Sequence, residues 1–475
     1  MDLPMFQRKL HHLLCALVLA VRMASAVAGT GELPGGTRNV ILLIGDGMDE
    51  QQITIARNYL QGASGQLLMD QLPLRANVQV LAVENRVNGR PVYVADSANT
   101  ATSMATGVVT SRGRIATAAG SDRDLTTIVE LAKAAGYRTG IVTTASVTDA
   151  TPAAFATHIS YRLCENPARM TDIPYGDPNL GGCAADRKIN GGSGSIAEQL
   201  ASSGLDLLLG GGSKHFAPLA EGENNSVLEM ARRQGFKLVT SRQELAGAAP
   251  DGRLLGLFSA GNMPVRLRGE GGRAAEQPEP SLLNELHPYP GDVTRPLPMT
   301  CEPNPGAGAV PTLQEMTETA LSRLSRASER GFFLMIESAS IDKKAHERRP
   351  CGSIGELEQL DEALASALAF ADNHPRTLIL VTADHAHAAQ LIPEESLYAR
   401  FHVPIYSPGK LARIKTPEGS IMSINYATNN FRYEEHSGAS VPLLSNGEGL
   451  GRIPAYLVQP AVFSIMRDYL GLATD

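Results

Sequence analysis

Short, wholly apolar runs alternate with amphipathic stretches through most of this chain. Residues 39–45, NVILLIG, precede a helix-like EQQITIARNYL (50–60), and LTTIVELAKAAGY (125–137) leads into RTGIVTTA (138–145). The run DLLLGGG (206–212) follows another helical stretch. Residues 310–327 lead into GFFLMIES (331–338), and residues 354–374 lead into TLILVTADH (377–385). A run apolar at every position, rather than at every second one, is a strand covered on both faces, as in a parallel sheet under helices. The repeated helix-then-strand order therefore predicts an α/β fold, a doubly wound and mostly parallel sheet sandwiched by helices.

Two regions break the rhythm. Residues 260–311 are rich in Gly and Pro and read as a long ordered loop. Residues 388–433 carry few helical signals but several aromatic and β-branched residues, and read as a small irregular insertion with strand character. Each is followed by another piece of the main pattern, so residues 27–475 are expected to form one domain with two excursions.

The leader changes this picture only at the N-terminus. Arg8 and Lys9, the apolar stretch Leu13–Val21 and the small residues Ala24-Ser25-Ala26 form a signal-peptide pattern over residues 1–26. The apolar run is too short to span a bilayer, and no later segment is long and apolar enough to do so. A periplasmic or secreted protein is expected. The formal net charge of −7 argues against a nucleic-acid binder held by phosphate contacts. Cys15 lies in the leader, which leaves Cys164, Cys183, Cys301 and Cys351, an even set for an oxidising compartment. Three pairings are open. The neighbour pairing, Cys164–Cys183 and Cys301–Cys351, closes the shorter loops and is the expected one.

Ligands of doubly wound sheets sit outside the carboxyl ends of the strands, and here those ends carry charge. VILLI ends in Asp46, FLMI in Glu337 with Asp342 and His346 close behind, LILVTA in Asp384-His385-Ala386-His387, and IVTTASVT in Asp149-Ala150-Thr151; EEHSG brings His436 from far downstream. Asp46 alone is more often a turn residue or helix cap, and a lone histidine more often sits on the surface or in the core. Four such ends aimed at one edge are different, because Asp46, Glu337, Asp342 and Asp384 would repel strongly without cations between them. Mixed Asp/His ligation suits zinc, and an Asp/Glu/Thr set suits magnesium. In VADSANTATSMATG (94–107) a hydroxyl near a helix start is well placed to meet a phosphate. The residues alone leave Ser97, Thr100, Thr102 and Ser103 all open for that part.

The motifs GDGM, DSANTATSMATG, DATPAAFATHISYR, IESASIDKKAH, TADHAHA and EEHSG, with GNMPVR (261–266) and CEPNP (301–305) outside the site, resemble the alkaline phosphatase family in order and context from about Asn39 onward. The resemblance implies that Ser97 is the nucleophile that becomes phosphoserine and that Arg162 clamps two phosphate oxygens. It gives Asp342, His346 and His436 to one zinc, and Asp46, Asp384 and His385 to a second. Asp46, Thr151 and Glu337 would hold a magnesium, with Lys343 and Asp149 tuning phosphate and magnesium binding. His387 is expected to orient a ligating carboxylate such as Asp342. The same disulfides, a crown-like insertion at 388–433 and a homodimer are also implied. The function expected is metal-dependent hydrolysis of a broad range of phosphate monoesters to alcohol and inorganic phosphate. A sulfatase would need a Cys/Ser-x-Pro-x-Arg stretch where the chain reads DSANTAT, and related diesterases usually lack the arginine clamp. A catalytically dead binding protein would have lost one of these residues, and none is missing.

Overall fold

The computed structural model describes residues 36–171, 182–287, 291, 293–326, 328–401 and 409–473. The expected leader, with Cys15, lies outside them. The central sheet has ten strands: β1 (Arg38–Gly45), β2 (Leu74–Gln79), β3 (Arg138–Ser146), β4 (Leu207–Gly211), β5 (Phe236–Val239), β6 (Arg253–Leu257), β7 (Gly331–Ser338), β8 (Thr377–Ala383), β9 (Val441–Ser445) and β10 (Tyr456–Val458). They lie side by side in the order β10-β2-β9-β8-β1-β7-β3-β4-β6-β5. Only β9 runs against the rest.

The predicted α/β sheet with flanking helices is the architecture found. Residues 39–45 of β1 and every residue of β7 and β8 are buried, as their unbroken apolar runs require. One helix group, α1 (Glu50–Leu60), α4 (Leu313–Ser325) and α6 (Pro350–Asn373), packs together and reaches β1 through α6; another, α2 (Ser97–Thr106), α3 (Ala150–Ala156) and α7 (Pro460–Leu470), reaches it through α7. A strand buried on both sides needs both groups. The short helix α5 (Ser340–His346) leaves β7 at the carboxyl edge of the sheet.

The irregular regions acquire some order. Residues 260–311 contain a two-stranded ribbon, Leu267–Gly269 against Cys301–Pro303. Within 388–433, Gln390–Ile392, Lys410–Lys415 and Ile421–Tyr426 form a three-stranded antiparallel sheet. Cys164 is bonded to Cys183 and Cys301 to Cys351. The reversed β9 was not legible in the sequence. Its direction follows from the loop before it, which brings His436 to the carboxyl edge, so the next strand has to start there and run back.

Candidate active site

Register builds the site. Gly45 pairs with Ser338 of β7 and with Ala383 of β8, so Asp46 and Asp384 leave the sheet side by side. Glu337 lies opposite Thr143 of β3, whose hydroxyl donates to its carboxylate. Gly47 turns the chain at φ +68° and donates its N–H to Asp384 Oδ1 at 3.0 Å; a Cβ on it would come within 3.1 Å of Asp342 Cβ. The positive φ calls for glycine, and the tight contact with Asp342 disfavours a side chain further. Asp342 and His346 stand one turn apart on α5 and share a face.

Helix α2 opens at Ser97 behind a capping box. Asp96 accepts from Asn99 N at 3.1 Å, and the Asn99 side chain accepts from Asp96 N at 2.9 Å. The four hydroxyls left open by the sequence now differ. Thr100, Thr102 and Ser103 donate to the carbonyls of Asp96, Arg114 and Asn99 at 2.9, 3.2 and 3.0 Å. Ser97 Oγ instead lies 3.2 Å from His385 Nε2 and 3.4 Å from Asp46 Oδ1.

The imidazoles reveal what the cluster is built to hold. His346 Nδ1 faces the carbonyl of Glu434, His436 Nδ1 faces that of Ala95 at 2.8 Å, and His385 Nδ1 faces that of Ala386 at 3.3 Å. A carbonyl only accepts, so each ring carries its proton on Nδ1 and presents a lone pair at Nε2. Yet His346 and His436 point Nε2 at each other across 2.9 Å. Asp342 Oδ1 sits 3.3 Å from His346 Nε2 and 3.2 Å from His436 Nε2 without a well-formed hydrogen bond to either. Facing lone pairs and a buried orphan carboxylate oxygen fit a divalent cation. Ligand atoms of Asp342, His346, His387 and His436 lie within 4.8 Å of one another, as do those of Asp46, Asp342 and His385.

His387 differs from its neighbours. Its Nδ1 accepts from Ala388 N at 2.9 Å, so the neutral ring has its proton on Nε2, 3.4 Å from Asp342 Oδ1. It can donate toward Asp342 but has no lone pair there to give a metal. Burial, the largest effect, pushes this ring down to about 3 and keeps it neutral.

Electrostatics report the same shortage of positive charge. Burial, then Asp342 and Asp384, push the Asp46 carboxyl well above the usual range. Burial raises Asp384 to about 6 and Glu337 to about 7. Asp342 goes the other way: burial raises it, but the imidazoles of His346, His436 and His387 outweigh that and hold it well below. Burial lowers His436, but Asp342 beside it wins and pushes it up to about 9. A proton there is what relieves the facing lone pairs when no cation does.

Around this cluster stand two fixed cations. Lys343 Nζ lies 2.8 Å from Asp149 and 3.5 Å from Asp46. Arg162 is held by Asp96 at 3.2 Å and Asp149 at 3.0 Å. Burial works against both charges, but these carboxylates raise both pKa values. Thr151 lies within hydrogen-bonding reach of Glu337. The structure thus brings every sequence-predicted site residue to one edge of the sheet. Sequence reasoning missed Asp96 and Thr143, and also a buried pair behind His346, Arg348 and Glu434. Asp96 and Glu434 sit inside quoted motifs, DSANTATSMATG and EEHSG, and could have been found; Thr143 and Arg348 carry no local signal.

A profile of the alkaline phosphatase family matches residues 37–443. The chain belongs to that family. It is 41% identical to a streptomycin-6-phosphate phosphatase of Streptomyces griseus, over 96% of this chain and 95% of that one. It is 38% identical to the alkaline phosphatase of Escherichia coli K12, over 92% and 86%. Among solved structures, the alkaline phosphatase of Thermus thermophilus superposes with a TM-score of 0.64 at 21% identity, covering 94% of this chain and 93% of that one. That of the Antarctic bacterium TAB5 gives 0.63 at 22%, covering 92% and 100%; at such identity these two speak for the fold alone. The chain is accordingly a phosphatase acting on phosphate monoesters. The family is metal dependent, and the clusters above offer the ligand types for it. Among the described residues no helix is long and apolar enough to cross a membrane.

Proposed function

We propose an exported phosphomonoesterase of broad alcohol specificity that works through a phosphoserine at Ser97. Asp342, His346 and His436 would hold one zinc, Asp46, Asp384 and His385 a second, and Asp46, Thr151 and Glu337 a magnesium. The observation that carries this is the convergence of Nε2 lone pairs and buried carboxylates beside Ser97, the one of the four candidate hydroxyls not committed to a backbone carbonyl. Bound there, the ions would lower the pKa of a hydroxyl or water and stabilise negative charge on oxygen.

The chain's own groups do the rest. The Ser97 oxygen attacks phosphorus, the ester P–O bond breaks, and the alcohol leaves with a proton. Water then attacks phosphorus from the vacated side, the bond from Ser97 to phosphorus breaks, and inorganic phosphate leaves as Ser97 regains its proton. Arg162, its planar fork oriented by Asp96 and Asp149, binds two phosphoryl oxygens where charge sits throughout. His387 orients Asp342, and Lys343 and Asp149 set the local charge. These groups address phosphate rather than alcohol, which supports broad specificity. The exposed Leu397, Tyr398 and Phe401 of the insertion support a homodimer through that region.

The substitution Ser97→Ala is expected to cut p-nitrophenyl phosphate turnover by roughly 10³-fold or more, while elemental analysis shows an unchanged metal content. Wild-type turnover in that variant would remove Ser97 as the nucleophile. Bis-p-nitrophenyl phosphate should be a far poorer substrate than the monoester.

A further inference from the structure

Two residues beyond His346, the chain buries an arginine completely. Arg348 is 1% exposed and stands at φ +56°, a backbone conformation strained for any residue but glycine. All five of its N–H groups are used. Nε donates to Glu434 Oε2 at 2.8 Å, Nη1 to the carbonyls of Phe431 and Arg432 at 2.8 and 3.0 Å, and Nη2 to the carbonyl and side chain of Asn429, both at 3.1 Å.

The segment so gripped, from Ala427 to Tyr433, buries none of its own residues, and among the described residues Thr428 ties it only to Glu434 and Glu435, just beyond it. Phe431 and Tyr433 point outward at 80% and 51% exposure. Glu434 is the first buried residue, and it is tied on every side. Its carboxylate takes Arg348 Nε and Thr428 N, at 2.8 Å each. Its N–H donates to the His346 carbonyl at 2.9 Å, and its own carbonyl accepts from His346 Nδ1. His436 follows two residues later.

We propose that Arg348 is a positioning residue for the cation site formed by Asp342, His346 and His436. It acts through Glu434: the guanidinium fixes the carbonyl that sets the His346 ring and its tautomer, and fixes the segment that delivers His436. This rests on reading that cluster as a cation site, and it adds a dependence on a buried ion pair outside the cluster. Groups behind metal-ligating histidines hold the ring in place, and their loss weakens metal binding by about 10–100-fold.

The test is competition for zinc against a chromophoric chelator, on the purified full chain at a temperature where circular dichroism shows it folded. Arg348→Lys keeps the charge opposite Glu434 but brings three N–H donors to five acceptors. One zinc is expected to bind about 10–100-fold more weakly than in the wild type, with the others unchanged. Glu434→Gln, which can satisfy Thr428 N or Arg348 Nε but not both, should show a smaller loss in the same direction. The cobalt-substituted variants should show altered visible d–d bands, and turnover lost at limiting zinc should return at saturating zinc, which a merely structural defect would not do. Zinc affinities within twofold of the wild type in both folded variants overturn the proposal. So does failure of both to fold, because the pair then serves the fold and not the site. A wild-type protein with no zinc site at all would instead overturn the reading beneath it.

Discussion

Identical side chains take different parts in this site, and the difference lies in which ring nitrogen finds a carbonyl. His346, His385 and His436 meet one at Nδ1, whereas His387 meets an N–H there. The residue types and their places at strand ends were legible in the sequence. The tautomers were not, because they depend on which backbone group the fold turns toward each ring: a carbonyl 88 positions from His346 and one 341 from His436, and adjacent backbone groups at His385 and His387. Glu165 was silent for the same reason. It is mostly buried, accepts from Thr148 at 3.0 Å and faces His215 Nε2 at 3.2 Å. Burial, then Asp149, push its carboxyl from an ordinary 4.5 up to about 7. The folded chain therefore holds that proton more tightly than the unfolded one, and the stability it contributes below about pH 4.5 is lost as pH rises to about 7. Burial, Lys214 and Arg169 push His215 down to about 4, an effect of opposite sign between pH 4 and 6.5. In urea unfolding, Glu165→Gln should gain on the wild type steadily from pH 4.5 to 7, by at most about 3 kcal/mol, and hold that lead above. A lead independent of pH would mean that Glu165 is not raised.

Among the elements, strands that end in acids are the most legible feature, since an apolar run followed by Asp or Glu has to stop at an edge. Less legible were β2, β5, β6, β9 and β10, none of which carries an apolar run as long and unbroken as those of β1, β7 and β8, and the ribbon formed by Leu267–Gly269 and Cys301–Pro303, whose partners lie 32 residues apart at Gly269 and Cys301 and 36 apart at Leu267 and Pro303. The ribbon matters to the site because Cys301 is bonded to Cys351 in the first turn of α6, shortly after Arg348. That bond closes a loop spanning a sequence separation of 50. Replacing both cysteines by serine should lower the unfolding free energy by about 2–4 kcal/mol, mainly by freeing the unfolded chain. A reductant should then shift the urea midpoint of this variant less than that of the wild type. An unchanged midpoint in the double variant would show that the ribbon holds without the bond.

At the scale of the whole molecule, the fold gathers Asp46, Glu337, Asp342 and Asp384 at one edge and buries all four. Lys343 and Arg162 are the fixed positive charges beside them, and the raised carboxyls of Asp46, Asp384 and Glu337 show that these do not suffice. Cations that bind the folded chain more tightly than the unfolded one supply the remainder, so the stability of the fold should depend on metal concentration. With free zinc set by a metal buffer, the urea-unfolding free energy should rise by about 1.4 kcal/mol for each tenfold increase per zinc bound, and level off only where the unfolded chain also binds. Excess chelator should lower the midpoint, and zinc with magnesium should restore it. The same carboxyls make the chelated protein respond to acid: those raised by burial and mutual repulsion take up protons that relieve the missing charge. A midpoint indifferent to chelator and to zinc would mean that the edge is balanced by protons and by Lys343 and Arg162 alone, and that the convergence of imidazoles serves no cation.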